Sequence, residues 1–104
     1  MVKKYDVITV GSAVRDVMFF TDKGKMFKTP EDITSQKMWA FEYGAKINVD
    51  ACSNELGGGA FNTAYNFQKL GFKVAPMVCL GKDIDGQWVR ENIQSHGISD
   101  EFIQ

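Results

Sequence analysis

Strands and helices alternating around a mainly parallel sheet, with a separate small β excursion near the amino terminus, are what this chain of 104 residues encodes. Three observations carry that reading. The β-branched run Tyr5 to Val10 stops at Gly11. From residue 57 onward a glycine run, a helical stretch, a strand-like run and a second helical stretch follow in order. Between these lies a segment of period-two alternation that has no place in the α/β order.

Tyr5-Asp-Val-Ile-Thr-Val10 reads as a buried strand, because branched side chains suit a pleated surface. Gly11 to Asp16 reads as a turn, and Val17-Met-Phe-Phe20 as a second, short strand. Residues 21–37, polar and carrying Gly24 and Pro30, read as a loop. Over residues 39–49, Trp39, Phe41, Tyr43, Ala45, Ile47 and Val49 share one face, which predicts a strand with one apolar side. Gly44 marks a bend within it.

Gly57-Gly58-Gly59 breaks the chain before a helix from Ala60 to Leu70, whose apolar side carries Phe61, Ala64, Phe67 or Tyr65, and Leu70. Gly71 stands where a left-handed cap belongs. Lys73 to Leu80 is strand-like, and Asp83 caps a second helix over Ile84 to Ser95, with Trp88, Val89 and Ile93 inward and Gly97 at its end. Ile98 to Ile103 begins another strand, so the alternation is unfinished at residue 104.

Composition narrows the function. The formal net charge is −1, and the lysines near the start are scattered among acidic residues, so nothing favours a nucleic-acid partner. No apolar run is long enough to span a bilayer, and the start lacks the uncharged stretch of a signal peptide, so a cytoplasmic location is the expectation. Cys52 and Cys79 lack metal-site spacing, and His96 cannot complete a zinc site with them; no metal ligands are expected. A P-loop is excluded, because Asp83 follows Gly81-Lys82 where Ser or Thr is needed.

The glycine run has a physical use. Without Cβ atoms the backbone can approach a ligand closely, and the following helix start would present unpaired N–H groups to an oxygen-rich ligand. Asn62, in the first turn, can both donate and accept hydrogen bonds, which suits hydroxyl recognition. A plain flexible turn explains the glycines equally well on local physics.

The longer pattern separates these readings. Gly57-Gly58-Gly59-Ala60-Phe61-Asn62-Thr63-Ala64, then six residues to Gly71 and nine to Gly81, resembles the first signature of the PfkB (ribokinase-like) carbohydrate kinases. Gly81-Lys82-Asp83-Ile84-Asp85-Gly86 resembles the family's Gly-x-Asp-x-x-Gly continuation, and Val10-Gly11-Ser12 with Asp16 resembles its first strand and sugar-binding aspartate.

The resemblance implies a ribokinase-like, Rossmann-type parallel sheet with helices, incomplete here, plus a small β-sheet lid. Residues 1–104 would be its amino-terminal part, with 17–20 and 38–50 forming the lid. By the same resemblance Asp16 accepts hydrogen bonds from substrate hydroxyls, Gly58 and Gly59 offer backbone, and Asn62 holds a further hydroxyl. Phe20, Trp39, Phe41 and Tyr43 would be lid residues, and the lid would pair two subunits into a homodimer. The implied activity is an ATP-dependent sugar or nucleoside kinase, using ATP and Mg2+ in the complete enzyme.

Val14 stands where ribokinase-type sequences often carry Asn, and Gly59 where they often carry Lys. Both changes remove polar contacts and favour a substrate with an apolar part, or a sugar other than ribose. Nothing in residues 1–104 resembles the family's second signature, with its anion hole and catalytic aspartate, so no catalytic residue is expected in this segment and it should be inactive alone. Two other classes compete: a non-catalytic binding or self-association domain, and a dinucleotide-binding module. The latter is disfavoured because Asn62 replaces the last glycine of GxGxxG and Gly11 to Asp16 leads into a strand.

Overall fold

The computed structural model describes residues 2–104. In chain order its elements are β1 (Val7–Val10), β2 (Val14–Phe20), β3 (Lys25–Lys28), β4 (Lys37–Ala40), β5 (Ala51–Gly57), α1 (Gly59–Lys69), β6 (Val74–Met77) and α2 (Ile84–Ser95). They fall into two units, one of Met1–Val17 with Asn54–Gln104 and the other of Met18–Ser53. β2 and β5 hydrogen-bond as a pair, and the division between units falls inside both strands.

In the first unit β1 and β6 run parallel, with Val7 opposite Val74 and Val10 opposite Met77. α1 is the crossover helix that parallel neighbours require. Its residues Ala60, Phe61 and Ala64 join Val74, Val78, Val89, Ile93, Ile98 and Ile103 in the buried core. Thr9 is a buried polar residue, and its hydroxyl donates to the Ala60 carbonyl at 2.8 Å, so the helix start is bonded to the strand beneath it.

Both helices end in the same device. Gly71 (φ 93°) donates to the Gln68 carbonyl and Phe72 to the Phe67 carbonyl, while the Phe67 and Phe72 rings meet edge-on at 5.7 Å. Gly97 (φ 71°) donates to Gln94 and Ile98 to Ile93. These are paired Schellman closures with their hydrophobic contact, and they explain why glycine follows each helix. At the start of α2, Asp83 accepts the Gly86 N–H at 2.8 Å. A Cβ on Gly86 would collide with the Gly81 carbonyl, so the Gly-x-Asp-x-x-Gly spacing is a packing requirement as well as a cap.

Several expectations change. Leu70, read as part of the apolar side of α1, is 73% exposed; it is the capping residue beyond Lys69, where the helix has ended. Asp16 is not in a turn but within β2, which begins at Val14. Ile98 to Ile103 forms turns and a single parallel bridge, Val78 to Ile103, rather than a strand. The largest change concerns residues 39–49. Only Lys37–Ala40 is strand, paired antiparallel with Lys25–Lys28, a strand that had read as loop. Beyond it the chain turns, with Ala45 N–H bonded to the Glu42 carbonyl and Gly44 at φ 75°. Alternation tells which face a side chain takes once a strand exists; it does not supply the backbone partner a strand needs. Ala51–Gly57, which had no strand reading, forms β5 because β2 lies beside it as a partner.

The second unit is built on the β3–β4 ladder, closed by Thr29 N–H to the Gln36 carbonyl at 3.0 Å. Its intervening loop is held by Asp32, whose carboxylate accepts from the backbone and hydroxyl of Thr34 at 2.9 and 2.7 Å. Those bonds hold the Asp32 carboxyl below its ordinary range. Trp39 lies over Gly24 and donates its indole N–H to the Lys23 carbonyl at 2.9 Å. Phe27, Phe41 and Ile47 help line an open cavity of about 600 Å³ beside it.

Candidate functional site

The site begins with the turn between β5 and α1. Gly58 is the residue before the helix, at φ 96°, and a Cβ there would sit 2.5 Å from the Ser12 carbonyl oxygen. Only glycine combines that backbone angle with so close an approach. Ser12 in turn holds the helix start: its carbonyl accepts Ala60 N–H at 2.9 Å and Phe61 N–H at 3.4 Å, and its hydroxyl accepts Gly59 N–H at 3.2 Å. The expectation of free N–H groups at this helix end is therefore corrected. Three of the donors are spent on Ser12, in the loop after β1.

Asp16 reaches the same turn from β2. Its carboxylate lies against Gly57, with Oδ2 2.7 Å from where a Cβ on Gly57 would be. Asp16 is exposed, whereas Gly57 is buried. Gly59 differs from both neighbouring glycines: an added Cβ meets nothing within 4 Å. It opens onto free space. Asn62 is exposed on the first turn of α1; its N–H bonds to the Gly58 carbonyl and its own carbonyl accepts from the Asn66 amide. So the fold brings Asp16 to the glycine turn, while the recorded bonds of Asn62 are those of its own helix.

In the second unit, Phe20 ends β2, Trp39 lies in β4, and Phe41 and Tyr43 follow β4 outside any strand. All four are exposed, Tyr43 completely.

Two residues that sequence reasoning passed over shape this region. Ser12 had been noted only as part of the opening pattern. Arg15 had no role at all; it donates from Nε to the Asn54 side chain and from Nη1 to Asp85, each at 2.8 Å, and its guanidinium lies 5.0 Å over the Trp88 ring. Period two would have placed Arg15 and Asp16 on opposite faces had the segment been read as strand. A cavity of about 320 Å³ lies beside Arg15, with Cys79, Asp83 and Val89 on its walls.

Among the described residues no three His, Cys, Asp or Glu side chains gather as metal ligands. Nor, among them, is any helix long and apolar enough to cross a membrane.

An α/β unit with a parallel strand pair, a glycine turn opening its first helix and an aspartate brought to that turn defines a ribokinase-like class of fold. Solved structures share it. A Burkholderia thailandensis nucleoside kinase in complex with inosine aligns at TM-score 0.60 and 24% identity, over 93% of this chain and 26% of its own. A ribokinase from Cryptococcus neoformans var. grubii serotype A in complex with ADP aligns at TM-score 0.64 and 21% identity, over 92% of this chain and 25% of its own. A Halothermothrix orenii fructokinase aligns at TM-score 0.60 and 21% identity, over 95% and 28%. A comparison with curated proteins finds no match. The chain belongs to the pfkB family of carbohydrate kinases, whose pattern matches residues 5–104. It spans about a quarter of the length of the solved structures it resembles.

Proposed function

We propose that this chain supplies the substrate-binding portion of an ATP-dependent sugar or nucleoside kinase, which passes a γ-phosphoryl group to a substrate hydroxyl. The observation that supports it is the Asp16 carboxylate lying against Gly57, within a family match covering residues 5–104. A carboxylate accepting two vicinal hydroxyls forms strong charge-assisted bonds. Gly58 and Gly59 would let the sugar lie close to the backbone, and Asn62 would take a further hydroxyl. The structures aligned above include proteins named as kinases of nucleosides, ribose and fructose, which makes polyhydroxylated substrates the natural class.

These residues bind and orient in this reading. The base, the anion hole and the ATP and Mg2+ contacts belong to sequence outside it, and a cytoplasmic setting suits such an enzyme. Calorimetric titration of D-ribose, D-fructose and inosine into the full-length protein tests the binding role. Wild-type binding of one probe, weakened at least about tenfold in Asp16→Asn, is the expected result. Equal affinity in the variant would end the reading. Residues 1–104 alone should show no sugar-dependent ATP consumption in a coupled assay, and turnover there would contradict the division of labour.

Residues 17–20 and 38–50 are the lid in the same proposal, and the lid joins two copies. Phe20, Trp39, Phe41 and Tyr43 are all exposed apolar or aromatic side chains, which favours a covering partner. Light scattering should give a dimer that Phe41→Glu converts to monomer. A wild-type monomer at high concentration would remove the dimer from the proposal.

A further inference from the structure

We infer that Arg15 is a positioning residue for Asp16, a clamp on the back of β2 that sets where the carboxylate meets the glycine turn. The inference rests on the reading that Asp16 binds substrate. Adjacent residues of a strand point to opposite faces. Arg15 and Asp16 do so here: the first reaches Asn54, Asp85 and Trp88, and the second reaches Gly57.

The clamp has three anchors on two other elements. Asn54 lies in β5, three residues before Gly57, and accepts from Arg15 Nε at 2.8 Å. Asp85 and Trp88 lie in α2; the Asp85 carboxylate accepts from Nη1 at 2.8 Å, and the indole lies under the guanidinium at 5.0 Å. One planar cation thus ties the strand carrying Asp16 to the strand entering the glycine turn, and both to α2. A guanidinium satisfies two hydrogen bonds and a stacked face together; an ammonium cannot.

The arrangement adds little stability as an ion pair. The Asp85 side chain is 72% exposed, and exposed pairs contribute weakly. Its effect is geometric. Asp16 itself is exposed, and its Oδ2 is the one atom that a Cβ on Gly57 would meet below 3 Å. The register between β2 and β5 therefore determines where that carboxylate sits, and Arg15 bonds across that register from the opposite face.

A double-mutant cycle on the full-length protein tests this, with D-ribose, D-fructose and inosine as calorimetric probes. Arg15→Met keeps the aliphatic stem and should weaken the bound probe about tenfold, as Asp16→Asn does. The double variant should lie within about twofold of Asp16→Asn, because Arg15 acts only through Asp16. Arg15→Lys should not restore affinity. Asp85→Ala, which removes that acceptor at an exposed position, should weaken binding about threefold and stands in if Arg15→Met fails to fold. Wild-type affinity in Arg15→Met, losses that multiply in the double variant, or unchanged binding in Asp85→Ala overturns the clamp while leaving the substrate reading intact. Wild-type affinity in Asp16→Asn defeats the substrate reading itself, and the clamp with it.

Discussion

The carbonyl oxygen of Ser12 accepts the Ala60 N–H at 2.9 Å, which bonds the loop after β1 to the first turn of α1. That one contact leaves no room beside Gly58, and it makes the three glycines of the turn unequal.

Gly58→Ala should be strongly destabilising. The new Cβ would sit 2.5 Å from the Ser12 oxygen on a backbone at φ 96°. Strain of this kind costs about 1–3 kcal/mol, before any displacement of Ser12. Gly59→Ala, in contrast, meets nothing within 4 Å and occupies a helical position. It should be neutral to about 1 kcal/mol stabilising. Urea unfolding of the two variants compares them directly, and equal stabilities would contradict this geometry.

Gly57→Ala should act on binding more than on folding. Its φ lies outside the left-handed region, but the Asp16 carboxylate occupies the space, 2.7 Å from the added carbon. Asp16 is exposed and can swing away at small cost. The expected outcome is a melting temperature within a few degrees of wild type, about 1 kcal/mol, with tenfold or greater loss of affinity for the bound sugar probe. Unchanged affinity would mean that Asp16 works from another rotamer.

Asp83→Ala removes the side-chain cap on Gly86 N–H and should destabilise by about 1 kcal/mol. Gly86→Ala should be worse, since the added carbon meets the Gly81 backbone carbonyl, which cannot rotate aside. Thermal melts should rank the pair in that order; the reverse order would show that the Gly81 loop yields easily.

Acid should weaken one surface contact selectively. Hydrogen bonds from Lys4 and Tyr5 hold the Glu101 carboxyl below its ordinary 4.5, and the hydrogen bond to Glu101 raises Lys4 above 10.5. A lowered acid stabilises the fold above its unfolded pKa and loses that contribution as pH falls through the folded one. A raised base stabilises below 10.5 and loses it as pH rises past the folded value. Both groups are fully exposed, so the effect is small and salt-sensitive. The melting-temperature gap between wild type and Glu101→Gln should be present at neutral pH and shrink as the pH falls below 4.5. A gap independent of pH would assign it to packing instead.

Local chemistry made much of the first unit legible. Helix ends are written in short range: Asp83 before α2, Gly71 and Gly97 after the helices, each satisfying orphan groups within a few residues. The strands Val7–Val10 and Val74–Met77 were readable because apolar residues dominate both runs; burial was not, since β6 is buried from Val74 to Pro76 whereas in β1, expected to be buried, only Thr9 is buried and Ile8 and Val10 are exposed. Partner choice is not local. Trp39 to Val49 alternate as a strand should, yet only Lys37–Ala40 finds a neighbouring backbone, while the unremarkable run Ala51–Gly57 pairs with β2. The site divides along the same line. Glycine run, Asp16 and Asn62 stand out as residue types, but the loss of free N–H groups to Ser12, and the Arg15 clamp on Asn54, Asp85 and Trp88, depend on residues 39 to 73 positions apart. Such contacts exist only after the chain has closed on itself, because no short-range preference specifies which distant group a donor will meet.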